Sequence, residues 1–194
     1  MSKVESHPLP PFFPQGAQVL MLGSFPPPEV RWKMNFFYPN LQNDMWRIFG
    51  LIFFNNKNYF LTKDLKSFNE PLLRSFLNKK GIALWDTAMK IIREQDNASD
   101  KFLKVLCPIE INKVLSELPD CRAIAVTGQK ALEILQPLLV FDFPQIGNYS
   151  EVLYDNRTLR IYRMPSSSRA YPLKLESKAE VYKKMFMNLH YPYN

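Results

Sequence analysis

Eleven consecutive residues, FFYPNLQNDMW (36–46), gather four aromatic rings, the amides of Asn40 and Asn43 and the carboxylate of Asp44. Flat apolar faces suit stacking on a planar group, and an amide both donates and accepts hydrogen bonds. Just upstream, GSFPPP (23–28) carries the chain from Gly23 through Ser24 and Phe25 into three prolines, which fix φ and stiffen the loop. A second polar cluster, Ser166, Ser167, Ser168, Arg169 and Tyr171, lies in MPSSSRAYP (164–172). Small hydroxyls and exposed backbone amides there suit phosphate contacts, and equally they suit ordinary turn chemistry. The simpler alternatives for the first cluster are core packing of Phe36 and Phe37 and a helix N-cap at Asn43.

The elements that must position these residues follow from the hydrophobic pattern. Short apolar runs recur as AQVLMLG (17–23), GIALWD (81–86), RAIAVTG (122–128) and RIYRMPS (160–166), and they read as strands. Helical spacing covers 44–53, 69–78, 87–93, 109–118 and 129–138, and again about 175–189. Strands alternating with helices imply an α/β fold with a central, mainly parallel four-stranded sheet between two helical layers. In such folds ligands bind outside the carboxyl ends of the strands, which puts GSFPPP, WDTAM, TGQKA and MPSSSRAYP on one rim. TGQKA, with Lys130, would expose backbone N–H groups at a helix start, where anions bind.

Bulk properties narrow the class. The 194 residues suit one domain (17–194) preceded by a proline-rich arm (1–16), and no apolar run is long enough for a membrane span. We expect a soluble, intracellular, cytoplasmic monomer. His7 and His190 each lie near a terminus, and Cys107 and Cys121 lack CxxC spacing, which argues against a zinc site and against a His-based triad. The net charge is +7, and residues 157–184 hold eight basic side chains against two acidic ones. That window reads either as a solvated helix face or as a phosphate-facing surface.

Taken together, the opening cluster and MPSSSRAYPLKLESKAEVYKKMF (164–186) resemble the uracil-DNA glycosylase superfamily, closest to its hypoxanthine-type and mismatch-specific (G:T/U) branch. The carrying residues are Gly23-Ser24-Phe25-Pro26-Pro27, then Phe37-Tyr38, then Asn43-Asp44-Met45-Trp46, and finally Met164-Pro165-Ser166-Ser167-Ser168-Arg169-Ala170. GIALWDTAMKIIREQDNASD (81–100) is similar to the branch's middle segment, and AVTGQKALEIL (125–135) to its strand-to-helix turn. The likeness runs from about residue 17 to 189.

The resemblance implies a three-layer α/β/α glycosylase fold and a monofunctional, cofactor-free and metal-free hydrolase. It would excise a flipped-out deaminated base, uracil or hypoxanthine, from double-stranded DNA. On that basis Ser24, Phe25, Phe37, Tyr38 and Asn40 bind the base, and Asn43 is catalytic with Asn40 and Asp44 as fallbacks, Asp44 because a carboxylate steadies an oxocarbenium-like centre. Ser166, Ser167, Ser168, Arg169, Tyr171 and Lys130 contact DNA, with Arg169 or Tyr171 as the wedge. Two positions depart from the family pattern: Phe25 fills the slot of the usual water-holding Asn, and Met164 that of a His or Asn donor. They motivate the alternative of a catalytically weak or inactive member that binds DNA or nucleotide in the same cleft. A reading of another class is an α/β domain whose basic window binds RNA or a protein partner. A Schiff-base lyase through Lys33 or Lys130 is set aside, since nothing in the sequence shows a desolvated lysine.

Overall fold

Three strands of the central sheet, at 19–23, 82–86 and 123–127, are nearly unbroken apolar runs, as strands covered on both faces require. The computed structural model describes residues 4–94 and 102–191, so the end of the 81–100 segment (95–100) lies outside the described residues. In chain order the elements are β1 (Val4–Ser6), β2 (Val19–Gly23), α1 (Met45–Phe54), α2 (Glu70–Lys80), β3 (Ile82–Asp86), β4 (Ala88–Arg93), β5 (Leu103–Pro108) and α3 (Ile111–Glu117). There follow β6 (Ala123–Thr127), α4 (Gln129–Leu139), β7 (Tyr149–Tyr154), β8 (Arg157–Met164) and α5 (Leu175–Asn188).

The central sheet has the order β3-β2-β6-β8-β7. Its first four strands run parallel and correspond to the four apolar runs, while β7 pairs antiparallel with β8. The sheet is therefore mixed and five-stranded rather than four parallel strands. Side-chain alternation splits its core in two. Val19, Met21, Ala123 and Ala125 face one layer with Trp46, Phe49, Leu73, Tyr182 and Phe186, from α1, α2 and α5. Leu20, Leu22, Ile124 and Val126 face the other with Leu115, Leu132 and Leu135, from α3 and α4.

A second sheet, β1-β4-β5, is antiparallel throughout. It corrects the helix expected over 87–93, which is strand β4. Apolar Ala88 and Ile91 sit at helical spacing because the ladder with β5 shifts register between Ala88 and Lys90 and again before Ile91, and such bulges disturb the two-residue period. The N-terminal segment is woven into both sheets: β1 pairs with β4, and Phe12 bridges Leu84 of β3.

Much of the basic window is engaged inside the fold. Arg157 donates to the carbonyls of Leu115 and Leu118, Arg160 to Glu151, and Arg163 to the Pro144 carbonyl and Gln129. Arg169 and Lys178 both bind Asp44. Among the described residues, no helix is long and apolar enough to cross a membrane.

Candidate active site

The carboxyl ends of β2, β3, β6 and β8 open on one cleft of about 960 Å³. Its lining includes Ser24, Phe25, Phe37, Tyr38, Asn40 and Asn43 from the first cluster and Ser166, Ser167, Ser168, Arg169 and Tyr171 from the second, with Lys130 between them. A parallel sheet places strand ends on a common edge, so residues more than a hundred positions apart share this wall.

The first wall is a loop held at several points. Arg93 of β4 donates to the Pro26 carbonyl at 3.0 Å while a two-bond ion pair with Glu5 of β1 fixes its guanidinium. Trp32 Nε1 donates to the Pro27 carbonyl at 2.8 Å, and Trp46 Nε1 to the Phe37 carbonyl at 3.0 Å. The second sheet therefore acts as a clamp on the proline loop. Tyr38 takes the left-handed conformation (φ +50°), a strained state for a non-glycine residue that functional loops often hold. Its hydroxyl donates to Thr127 Oγ1 at 3.2 Å, which itself donates to the Leu22 carbonyl, and its ring meets Trp46 edge to face. Phe37 serves two purposes, since it is buried against His7 and Trp85 yet still lines the cleft.

Asn43 sits where the two walls meet, bridging Ser168 backbone to backbone. Its Oδ1 accepts from the Met45 N–H at 2.9 Å, a side-chain turn at the entrance to α1, whose N-cap position is Asp44. Its Nδ2 makes no hydrogen bond among the described residues and remains a donor at the cleft wall. Asp44 is turned away from the cleft. Its carboxylate is buried and holds Arg169 Nε at 3.0 Å and Lys178 Nζ at 3.1 Å, and Lys178 Nζ also donates to the Ser168 carbonyl at 2.7 Å. With both oxygens engaged, its work is to anchor the serine loop to α1 and α5, and the role of steadying a sugar cation does not suit it.

Ser166 and Ser168 accept, through their hydroxyls, from the N–H groups of Ser168 and Ala170, which is turn chemistry. Ser167 is buried and its carbonyl accepts from the Asp44 N–H. Below the loop, Tyr182 donates to the Pro165 carbonyl, and complete burial pushes its phenol well above the usual value, which keeps it a neutral donor. Phe25 and Met164, the two departures from the family pattern, are both buried: Phe25 with Ala88 and Ile91, Met164 in the core with Trp46 and Tyr182. At the head of α4, Gly128 adopts φ +98°, open to glycine with little strain, and places Gln129 and Lys130 on the rim.

One pair of residues escaped the sequence reading. His7 Nε2 lies 2.9 Å from Asp86 Oδ2 at the end of β3, and Asp86 lines the cleft floor. The histidine set aside for its nearness to the terminus thus holds a residue that lines the cleft. Only the WD of the 81–86 run, at a strand end, signals Asp86 in the sequence, and nothing in the spacing signals His7.

No family model and no curated protein matches the chain. Fourteen chains of known structure do match it. One is the solution NMR structure of a candidate uracil DNA glycosylase from Methanosarcina acetivorans, with a TM-score of 0.62 at 22% identity over 95% of this chain and 99% of that one. This chain has a uracil DNA glycosylase-like fold. In this fold the cleft at the strand ends is walled by the two clusters that the sequence singled out, with the serine loop fixed through Asp44 and the proline loop through Arg93.

Proposed function

We propose that the protein is a DNA base glycosylase that hydrolyses the N-glycosidic bond of a flipped-out deaminated base, uracil or hypoxanthine, in double-stranded DNA. The observation that carries this reading is the convergence of Asn43, Tyr38, Phe37 and the 166–171 loop on one cleft at the strand ends. A base must leave the stack before its bond to the sugar is reachable, and the extruded base needs a flat surface to replace the stacking it loses. Phe37 and Tyr38 supply that surface, with stacking worth roughly 1–3 kcal/mol per base. Negative charge develops on the departing base, and the Asn43 Nδ2–H is a fixed donor for it. The loop at 166–171 and Lys130 hold the flanking phosphates. The similar archaeal protein carries a glycosylase name, which agrees with this reading.

A second reading has its own support. Asn43 Oδ1 is spent on the Met45 N–H at the entrance to α1, and the water-holding slot contains buried Phe25, as in a member that binds DNA without excision. Duplexes containing U, hypoxanthine, xanthine or a G:T mismatch, incubated with the protein and then treated with alkali, separate the two. A strand break at one of these bases supports excision, and intact strands on all of them with retained duplex binding favour the second reading.

A further inference from the structure

We propose that Asp86, held by His7 of the N-terminal segment, is the catalytic carboxylate of the cleft, so that this segment completes the site; the inference rests on the glycosylase reading above. The slot from which related proteins hold the attacking water contains Phe25, which has no polar atom on its side chain. The neighbouring strand end supplies one. β2 and β3 pair in register, with Gly23 opposite Asp86, so the carboxylate stands beside the first residue of the proline loop. A Cβ built on Gly23 would collide with Asp86 Oδ1, and only glycine leaves that oxygen its place.

The two carboxylate oxygens are in different situations. Oδ2 accepts from His7 Nε2–H at 2.9 Å, and His7 Nδ1 lies 3.0 Å from the Leu9 carbonyl oxygen and 3.3 Å from the Leu9 N–H, so both ring nitrogens are held. The imidazole is wedged among Trp85 (ring centroids 4.4 Å apart), Phe25 (5.4 Å) and Phe37 (6.4 Å), and its side chain is only 4% exposed. That packing allows it one orientation. Oδ1 receives no hydrogen bond among the described residues and belongs to a residue on the cleft floor. The Asp86 side chain is 9% exposed and, among the described residues, has no lysine or arginine in an ion pair. A nearly buried carboxylate with one oxygen locked and the other facing a cleft is a poor structural device and a good acceptor for a positioned water.

The step balances as follows. The water oxygen forms a bond to C1′ while the C1′–N bond breaks, and the bonding pair leaves with the base. One water proton passes to Asp86 Oδ1. The base anion then takes up a proton from solvent, and Asp86 returns its own to solvent. Before the proton moves, the carboxylate charge also opposes the positive charge growing on the sugar, while Asn43 Nδ2–H faces the leaving base.

The experiment compares wild type, Asp86→Asn, Asp86→Ala with and without sodium formate, and His7→Phe. Single-turnover cleavage of a uracil or hypoxanthine duplex is read beside binding to a duplex containing 2′-fluoro-2′-deoxyuridine, which resists cleavage. General-base removal costs roughly 10²–10⁴ in rate, so Asp86→Asn should lose that much while binding the fluorinated duplex about as well as wild type. Formate should restore part of the Asp86→Ala rate, which a purely structural role would not permit. His7→Phe keeps the ring volume and removes the hydrogen bond, and its rate should fall at least about tenfold with binding retained. Cleavage by Asp86→Asn within about threefold of wild type overturns the inference and leaves the glycosylase reading standing. If the Asp86 variants do not fold, an unchanged rate in His7→Phe overturns it instead. A wild type that cleaves none of the duplexes removes the reading itself, a distinct result.

Discussion

Removing the Asp44 carboxylate should leave Lys178 stranded. Its ammonium lies in a side chain only 1% exposed, and its partners are Asp44 Oδ2 at 3.1 Å and the Ser168 carbonyl at 2.7 Å. In Asp44→Ala the charge keeps only that carbonyl, and a buried ion deprived of its partner costs about 3–5 kcal/mol. A domain of this length loses roughly 2–4 °C per kcal/mol, so the melting temperature should fall by roughly 6–20 °C. Arg169, whose side chain is 44% exposed, adds little, because solvent screens it and it can turn to water. The double variant Asp44→Ala/Lys178→Met removes both charges and should recover much of the loss, since replacing a buried pair by apolar groups is often neutral. Calorimetry at constant pH and salt reads all three proteins. Melting of Asp44→Ala within about 3 °C of wild type would refute the argument, as would a double variant less stable than the single one.

Other consequences follow from the same geometry. Tyr38→Ala should weaken binding to a uracil-containing duplex by roughly 5- to 150-fold, the value of one stacked base, while Tyr38→Phe, which keeps the ring, should change it little; fluorescence anisotropy measures both. Lys130→Ala should lower the slope of log binding constant against log salt by about 1, equally for damaged and undamaged duplexes, as a single phosphate contact requires. Burial pushes the Cys121 thiol up from 9.0 to about 11. The folded state thus retains that proton more tightly than the unfolded chain, and the stabilisation is complete below pH 9 and disappears as pH rises through about 11. Denaturant unfolding of Cys121→Ala should show a shallower loss of stability over that interval. In the native protein at pH 8, iodoacetamide should label half-buried Cys107 and leave Cys121 unmodified.

Sequence and structure agree most closely where the physics is local. The runs VLMLG, IALWD, AIAVT and the end of β8 are strands because each is apolar on both faces, and the amphipathic spacing of α1, α2, α4 and α5 is of the ordinary kind. Strand β7 was invisible because YSEVLY is a half-exposed edge without a clean apolar alternation: Tyr149 and Leu153 lie on the exposed side with Glu151, and Ser150 on the more covered side with Val152. β4 was misread because its bulges copied a helical period. In the site, the two polar clusters were legible as residue types in loops that follow strands. The roles within them were not, because orientation decides them. Asp44 turns inward to Lys178, and Asn43 divides its amide between the Met45 N–H and the cleft. His7 and Asp86 are 79 positions apart, and only the threading of β1 beside β4 brings them together.

The central claim is that this cleft excises a deaminated base with Asn43 facing it, and single-turnover cleavage by wild type and Asn43→Ala tests that most directly. The account predicts alkali-labile breaks at uracil or hypoxanthine with wild type, and a loss of roughly 10²–10³ in rate for Asn43→Ala, the scale for one lost donor to a developing anion, with binding to a non-cleavable duplex retained. Wild type that leaves every such duplex intact, or Asn43→Ala that cleaves as fast as wild type, would contradict it.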